Sequence, residues 1–78
     1  LHPCDDVSTR ILTMRLADTK SPSYMRTARN KTPVLYDDVD PESIQIGKGI
    51  ELKAGNDVAI IACGVLVSES LKAADVLM

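Results

Sequence analysis

The stretch Asp57-Val58-Ala59-Ile60-Ile61-Ala62-Cys63-Gly64-Val65-Leu66-Val67-Ser68-Glu69-Ser70-Leu71-Lys72-Ala73-Ala74-Asp75-Val76-Leu77-Met78 decides how this chain reads. Val58 to Cys63 is an unbroken apolar run, rich in β-branched residues and without alternation. Such a run predicts a strand covered on both faces. Gly64 follows, and Val67, Leu71, Ala74 and Met78 then fall at i, i+4, i+7 and i+11, one stripe of a helix. Strand, glycine, helix is the first half of a βαβ unit. Its helix packs back on a parallel sheet and leads to a second parallel strand, and the sequence stops before that strand. The expected fold class is therefore α/β.

Composition sets the bounds. A chain of 78 residues holds at most one small, weakly buried domain. Hydrophobic residues make up 45%, which is globular rather than disordered. There are two Tyr and no Phe or Trp, so the core lacks the large side chains that fill small domains and needs completion by something else. A net charge of −2 argues against nucleic acid, whose phosphates need a basic surplus. No apolar stretch reaches the ~18 residues of a membrane span. His2, Pro3, Asp5 and Asp6 stand where a signal peptide would have its charged and apolar regions. Cys4 and Cys63 form no CxxC pair and read as reduced thiols, Cys63 in a buried strand, which favours a cytoplasmic location. Both ends read as cut. The chain begins Leu1-His2-Pro3 without an initiator Met and ends on Val76-Leu77-Met78 without a glycine or basic cap.

Working back from the organising stretch, residues 5–19 predict a helix. Asp5 is its N-cap and Asp6 favours the positive end of the dipole. Val7, Ile11 and Met14 share a face, with Arg10 and Arg15 pointing away. Lys20-Ser21-Pro22 ends it, since a residue before proline avoids the helical region. Ser23 to Arg29 alternates as a short strand, and Val34-Leu35-Tyr36 is a second extended run. Asp37-Asp38-Val39-Asp40-Pro41-Glu42 reads as a solvated acidic linker without calcium-loop spacing. Ile44 to Leu52, around Gly47-Lys48-Gly49, reads as an exposed hairpin or edge, and Ala54-Gly55-Asn56-Asp57 turns into the apolar run.

Chemistry-bearing residues are few. Gly47-Lys48-Gly49 lacks the spacing of a phosphate loop. Gly64 precedes a helix whose free N–H groups suit an anion, but a tight turn explains it equally. Ser68 and Ser70 have no histidine nearby in sequence, and His2, the single histidine, reads as an exposed terminal residue. No metal-ligand constellation is present. The pointed signal is Arg26 and Arg29, at the end of a predicted strand, where open α/β sheets place ligand crevices. Guanidinium forks hold phosphate or carboxylate. Composition alone favours surface solubility, or ion pairs with the acidic segment, as their role.

In order along the chain, these segments resemble one family. Pro22-Ser23-Tyr24-Met25-Arg26-Thr27-Ala28-Arg29 with Thr32-Pro33-Val34 resembles the end of the pyrimidine-binding domain of transketolases. Ile44-Gln45-Ile46-Gly47-Lys48-Gly49 and Asp57-Val58-Ala59-Ile60-Ile61-Ala62-Cys63-Gly64 resemble the lead-in to their C-terminal domain. Leu1-His2-Pro3-Cys4-Asp5 resembles a stretch upstream of both, with His2 where an arginine is common. The resemblance covers essentially the whole chain and implies parts of two parallel-sheet domains. Residues 1–36 would end the pyrimidine-binding domain, 37–43 would link, and 44–78 would start the C-terminal domain.

The resemblance also implies a function. It is that of a thiamine-diphosphate enzyme, with Mg2+, moving a two-carbon ketol unit between phosphorylated sugars. Arg29 aligns with an arginine that binds the sugar phosphate, and Arg26 with one found in the related deoxyxylulose-phosphate synthases. The cofactor's activating glutamate and its diphosphate site lie outside this segment in the family, so the fragment alone is expected to bind no cofactor and to be inactive. The parent would be a homodimer or a complex with an N-terminal transketolase section. Two other readings stay open: a fragment of a 2-oxo-acid dehydrogenase β subunit, and a non-catalytic α/β interaction module.

Overall fold

The computed structural model describes residues 1–77. Helix α1 spans Asp6–Ala17, a 3-10 turn spans Pro41–Ser43, and helix α2 spans Leu66–Leu77. Among the described residues there is no strand and no sheet. The α/β architecture with parts of two parallel-sheet domains, expected from the sequence, is thereby corrected.

Helix α1 starts where its cap chemistry says. Asp5 is extended (φ −149°), and its Oδ1 accepts the backbone N–H of Ser8 at 2.8 Å while Ser8 Oγ receives the N–H of Asp5 at 3.3 Å. This reciprocal box satisfies donors that a helix start leaves open. Thr9 Oγ1 and Thr13 Oγ1 each donate at 2.6 Å to the carbonyl four residues back. The helix stops at Asp18, short of the predicted residue 19; the Asp18 N–H reaches the Arg15 carbonyl and the Thr19 N–H the Leu16 carbonyl.

The buried face of α1 differs from the expected one. Leu12 is buried, Val7 and Ile11 are partly so, and Met14 stands 66% exposed. Arg15 does not point away. Its Nε donates to the Ile44 carbonyl at 2.5 Å and its Nη2 to the Pro41 carbonyl at 3.0 Å. The guanidinium thus ties the end of α1 to the turn near 41–44, whose acidic side chains are exposed as expected.

Cys4, Leu12, Tyr36, Ile44 and Val67 form the core, flanked by Val7, Ile11, Met25, Leu35, Val39 and Ile50. The α2 stripe is real: Val67 is buried and Leu71 and Ala74 are half-buried. Its fourth member, Met78, lies outside the described residues.

The predicted strands fail for a common reason. A strand's N–H and C=O groups need a neighbouring ladder, and few-stranded sheets are marginal in water. Val58 to Cys63 has no such neighbour here, and Val58, Ile60 and Ile61 are 77, 49 and 96% exposed. Among the described residues the backbone of Ser23 to Arg29 bonds only to Leu1, whose ammonium donates to the Tyr24 carbonyl and whose carbonyl accepts from Arg26 N–H at 2.8 Å. Leu35 and Tyr36 spend their N–H groups on the Asp5 carboxylate. Ile44 to Leu52 makes no hairpin; Lys48 N–H turns back to the Gln45 carbonyl around Gly47, whose φ of +83° suits glycine.

Candidate functional site

The sequence-derived site is Arg26 and Arg29. Both lie on the extended segment after α1, and both are exposed. The Arg26 backbone is fixed by Leu1, while its guanidinium and that of Arg29 make no hydrogen bond or ion pair among the described residues. Neither lines the main cleft. The expected ion pairs with residues 37–42 do not form, so two charged forks stand open to solvent.

The main cleft has a volume of about 720 Å3. It lies between the segment from Lys48 to Gly55, the run from Val58 to Cys63, helix α2 and the N-terminal residues His2 to Cys4. Its lining is mostly apolar, with Lys48, Glu51, Lys53, Gln45 and Ser70 among its polar groups. Lys53 Nζ is engaged by Asp75 of α2 in a partly exposed pair, which adds little stability.

A second cluster surrounds Asp5. Its Oδ2 accepts the N–H groups of Leu35 at 2.7 Å and Tyr36 at 2.8 Å, and its Oδ1 also accepts from Ser8 Oγ at 2.6 Å. Burial pushes this carboxyl upward, but the Ser8 hydroxyl and the backbone donors of Ser8, Tyr36 and Leu35 outweigh it and hold it below the usual range. Burial, with the Asp5 charge beside it, raises the Cys4 thiol. Burial, with Cys4 and Asp5 beside it, pushes the Tyr36 phenol up to about 12. Every buried polar side-chain atom described has a partner, so this cluster is a structural joint.

Sequence reasoning missed a third grouping. His2 is half-buried, not an exposed terminal residue, and its Nδ1 lies 3.7 Å from Cys63 Sγ. Its carbonyl accepts the Gly64 N–H at 3.0 Å. Gly64 adopts φ +61°, and a Cβ there would run into the His2 ring. The glycine is required by this close approach, and its N–H is not free for an anion. Cys63, expected in a buried strand, is exposed because that strand does not form. Residues 61 positions apart meet here, a separation without a local signal.

Among the described residues no three His, Cys, Asp or Glu side chains converge as metal ligands need. No described helix is long and apolar enough to cross a membrane.

The chain is a homologue of the C-terminal section of transketolases over nearly its whole length. It is 36% identical over 77 residues to a transketolase C-terminal section of Methanocaldococcus jannaschii, covering 99% of this chain and 24% of that protein. It is 38% identical over 71 residues to one of the subunits of an apulose-4-phosphate transketolase of Phocaeicola vulgatus, covering 91% of this chain and 22% of that one. Human transketolase is 33% identical over 78 residues, 97% of this chain and 12% of its own length. The chain thus spans about a quarter or less of these relatives. No family model and no solved structure matches it.

Proposed function

We propose that this chain is a section of a thiamine-diphosphate-dependent transketolase that moves a two-carbon ketol unit between sugar phosphates. The observation that carries the reading is the near-complete alignment with a transketolase C-terminal section. In this reading residues 1–36 close the pyrimidine-binding domain, 37–43 link, and 44–78 open the C-terminal domain. The cofactor and Mg2+ are held by residues of the parent outside this chain, and the chain alone turns nothing over. The parent works as a homodimer or with an N-terminal section, in the cytoplasm. Transketolase relatives on every side leave the 2-oxo-acid dehydrogenase and interaction-module readings without support of their own.

Arg29, with Arg26 beside it, is the substrate-phosphate anchor. What supports this is their exposure and lack of internal partners. An always-charged planar fork suits phosphate. Losing such a charge-assisted contact in Arg29→Ala costs about 1.5–3 kcal/mol, or roughly ten- to a hundredfold in kcat/KM. Steady-state kinetics on the whole protein tests it. The loss is confined to phosphorylated substrates; an equal loss with unphosphorylated ones removes the role.

A further inference from the structure

We propose that Cys63 is a site of thiol–disulfide exchange with small disulfides, with His2 as the acceptor of its proton. Three observations converge. The thiol is exposed, so a disulfide can reach it. The imidazole Nδ1 sits 3.7 Å from Sγ, within the reach of a hydrogen bond to sulfur. The histidine is held there by its own backbone, through the Gly64 N–H on its carbonyl, and Gly64 leaves space for the ring. Both residues line the 720 Å3 cleft, which has room for a ligand of glutathione-disulfide size and carries Lys48 for its carboxylates and Glu51 for its ammonium groups. Nothing in the proposed ketol transfer uses this pair.

The chemistry follows from the nucleophile. Only a thiolate attacks a disulfide, and an adjacent base generates it. With His2 in its Nε2–H tautomer, Nδ1 takes the Cys63 proton. Sγ then forms a bond to one sulfur of glutathione disulfide as the S–S bond breaks. The other sulfur leaves with the electron pair as glutathione thiolate and takes a proton from the imidazolium or water. Cys63 ends as a mixed disulfide, and one glutathione is released. Cys4 is the internal contrast: it is 5% exposed and pushed away from thiolate by burial.

The test uses the native protein, glutathione disulfide and peptide mass spectrometry. Cys63 is expected to be modified at least ~10-fold faster than Cys4, since exchange follows access and thiolate supply. His2→Ala slows Cys63 about fivefold, leaves Cys4 unchanged, and is rescued by free imidazole, as loss of a positioned base requires. Gly64→Ala, which displaces the ring, slows Cys63 in the same direction. Equal rates at the two cysteines, an unaltered Cys63 rate in His2→Ala, or failure of imidazole to rescue would each overturn the proposal.

Discussion

One oxygen of the Asp5 carboxylate caps helix α1, and the other receives the backbone N–H of Tyr36 at 2.8 Å, 31 residues away. A helix cap has become a tertiary joint. Asp5→Ala removes the cap together with the anchors of Leu35 and Tyr36. Caps contribute about 1 kcal/mol and hydrogen bonds to a charged group about 1.5–3, so the loss is on the order of 3 kcal/mol. Urea titration followed by far-UV circular dichroism reads it; a change under about 0.5 kcal/mol would show that the joint carries nothing.

Asp5 also sets an acid limit. Its folded-state pKa lies below the ordinary 3.8, so the unfolded chain binds the proton first. Its stabilisation is fully present above that ordinary value and is lost as pH falls through the lower, folded one. The acid limb of a stability–pH curve should flatten in Asp5→Ala, and an unchanged limb contradicts the assignment.

Tyr36 and Cys4 act at the other end. Tyr36 rises from 10.0 to about 12 on folding, and Cys4 rises from 9.0. A raised group stabilises fully below its unfolded value and loses that contribution as pH climbs toward its folded value. Stability therefore declines from about pH 9 upward, the tyrosine part falling between 10 and 12. Tyr36→Phe removes that second part; a decline of the same size in the variant would place its source elsewhere.

Two isoleucines separate the core from the apolar run. Ile44 is 2% exposed and Ile61 is 96% exposed. Ile44→Ala leaves a cavity and costs about 2–4 kcal/mol, as buried aliphatic truncations do. Ile61→Ser stays within about 0.5 kcal/mol, as surface changes do. Comparable losses at both positions would mean that Ile61 is covered in the working protein.

Local chemistry was the legible part of this fold. The Asp5 cap and the Val67, Leu71, Ala74 stripe depend on neighbours within a turn or two, and both formed. The strands were not legible, because a strand exists only with a partner that the run from Val58 to Cys63 does not find. Arg15 was misplaced for a related reason: its acceptors, Ile44 and Pro41, lie 29 and 26 residues on. Arg26 and Arg29 were singled out by residue type, and the structure shows both exposed. The His2–Cys63 approach was hidden by its span and by the expectation of a buried thiol.

The most direct measurement is ketol transfer by the whole protein, from a ketose phosphate to an aldose phosphate, with and without thiamine diphosphate and Mg2+. The account predicts turnover that requires the cofactor and vanishes for this chain alone. No transfer with any phosphorylated pair, or oxidative transfer of an acyl group to lipoamide instead, would contradict it.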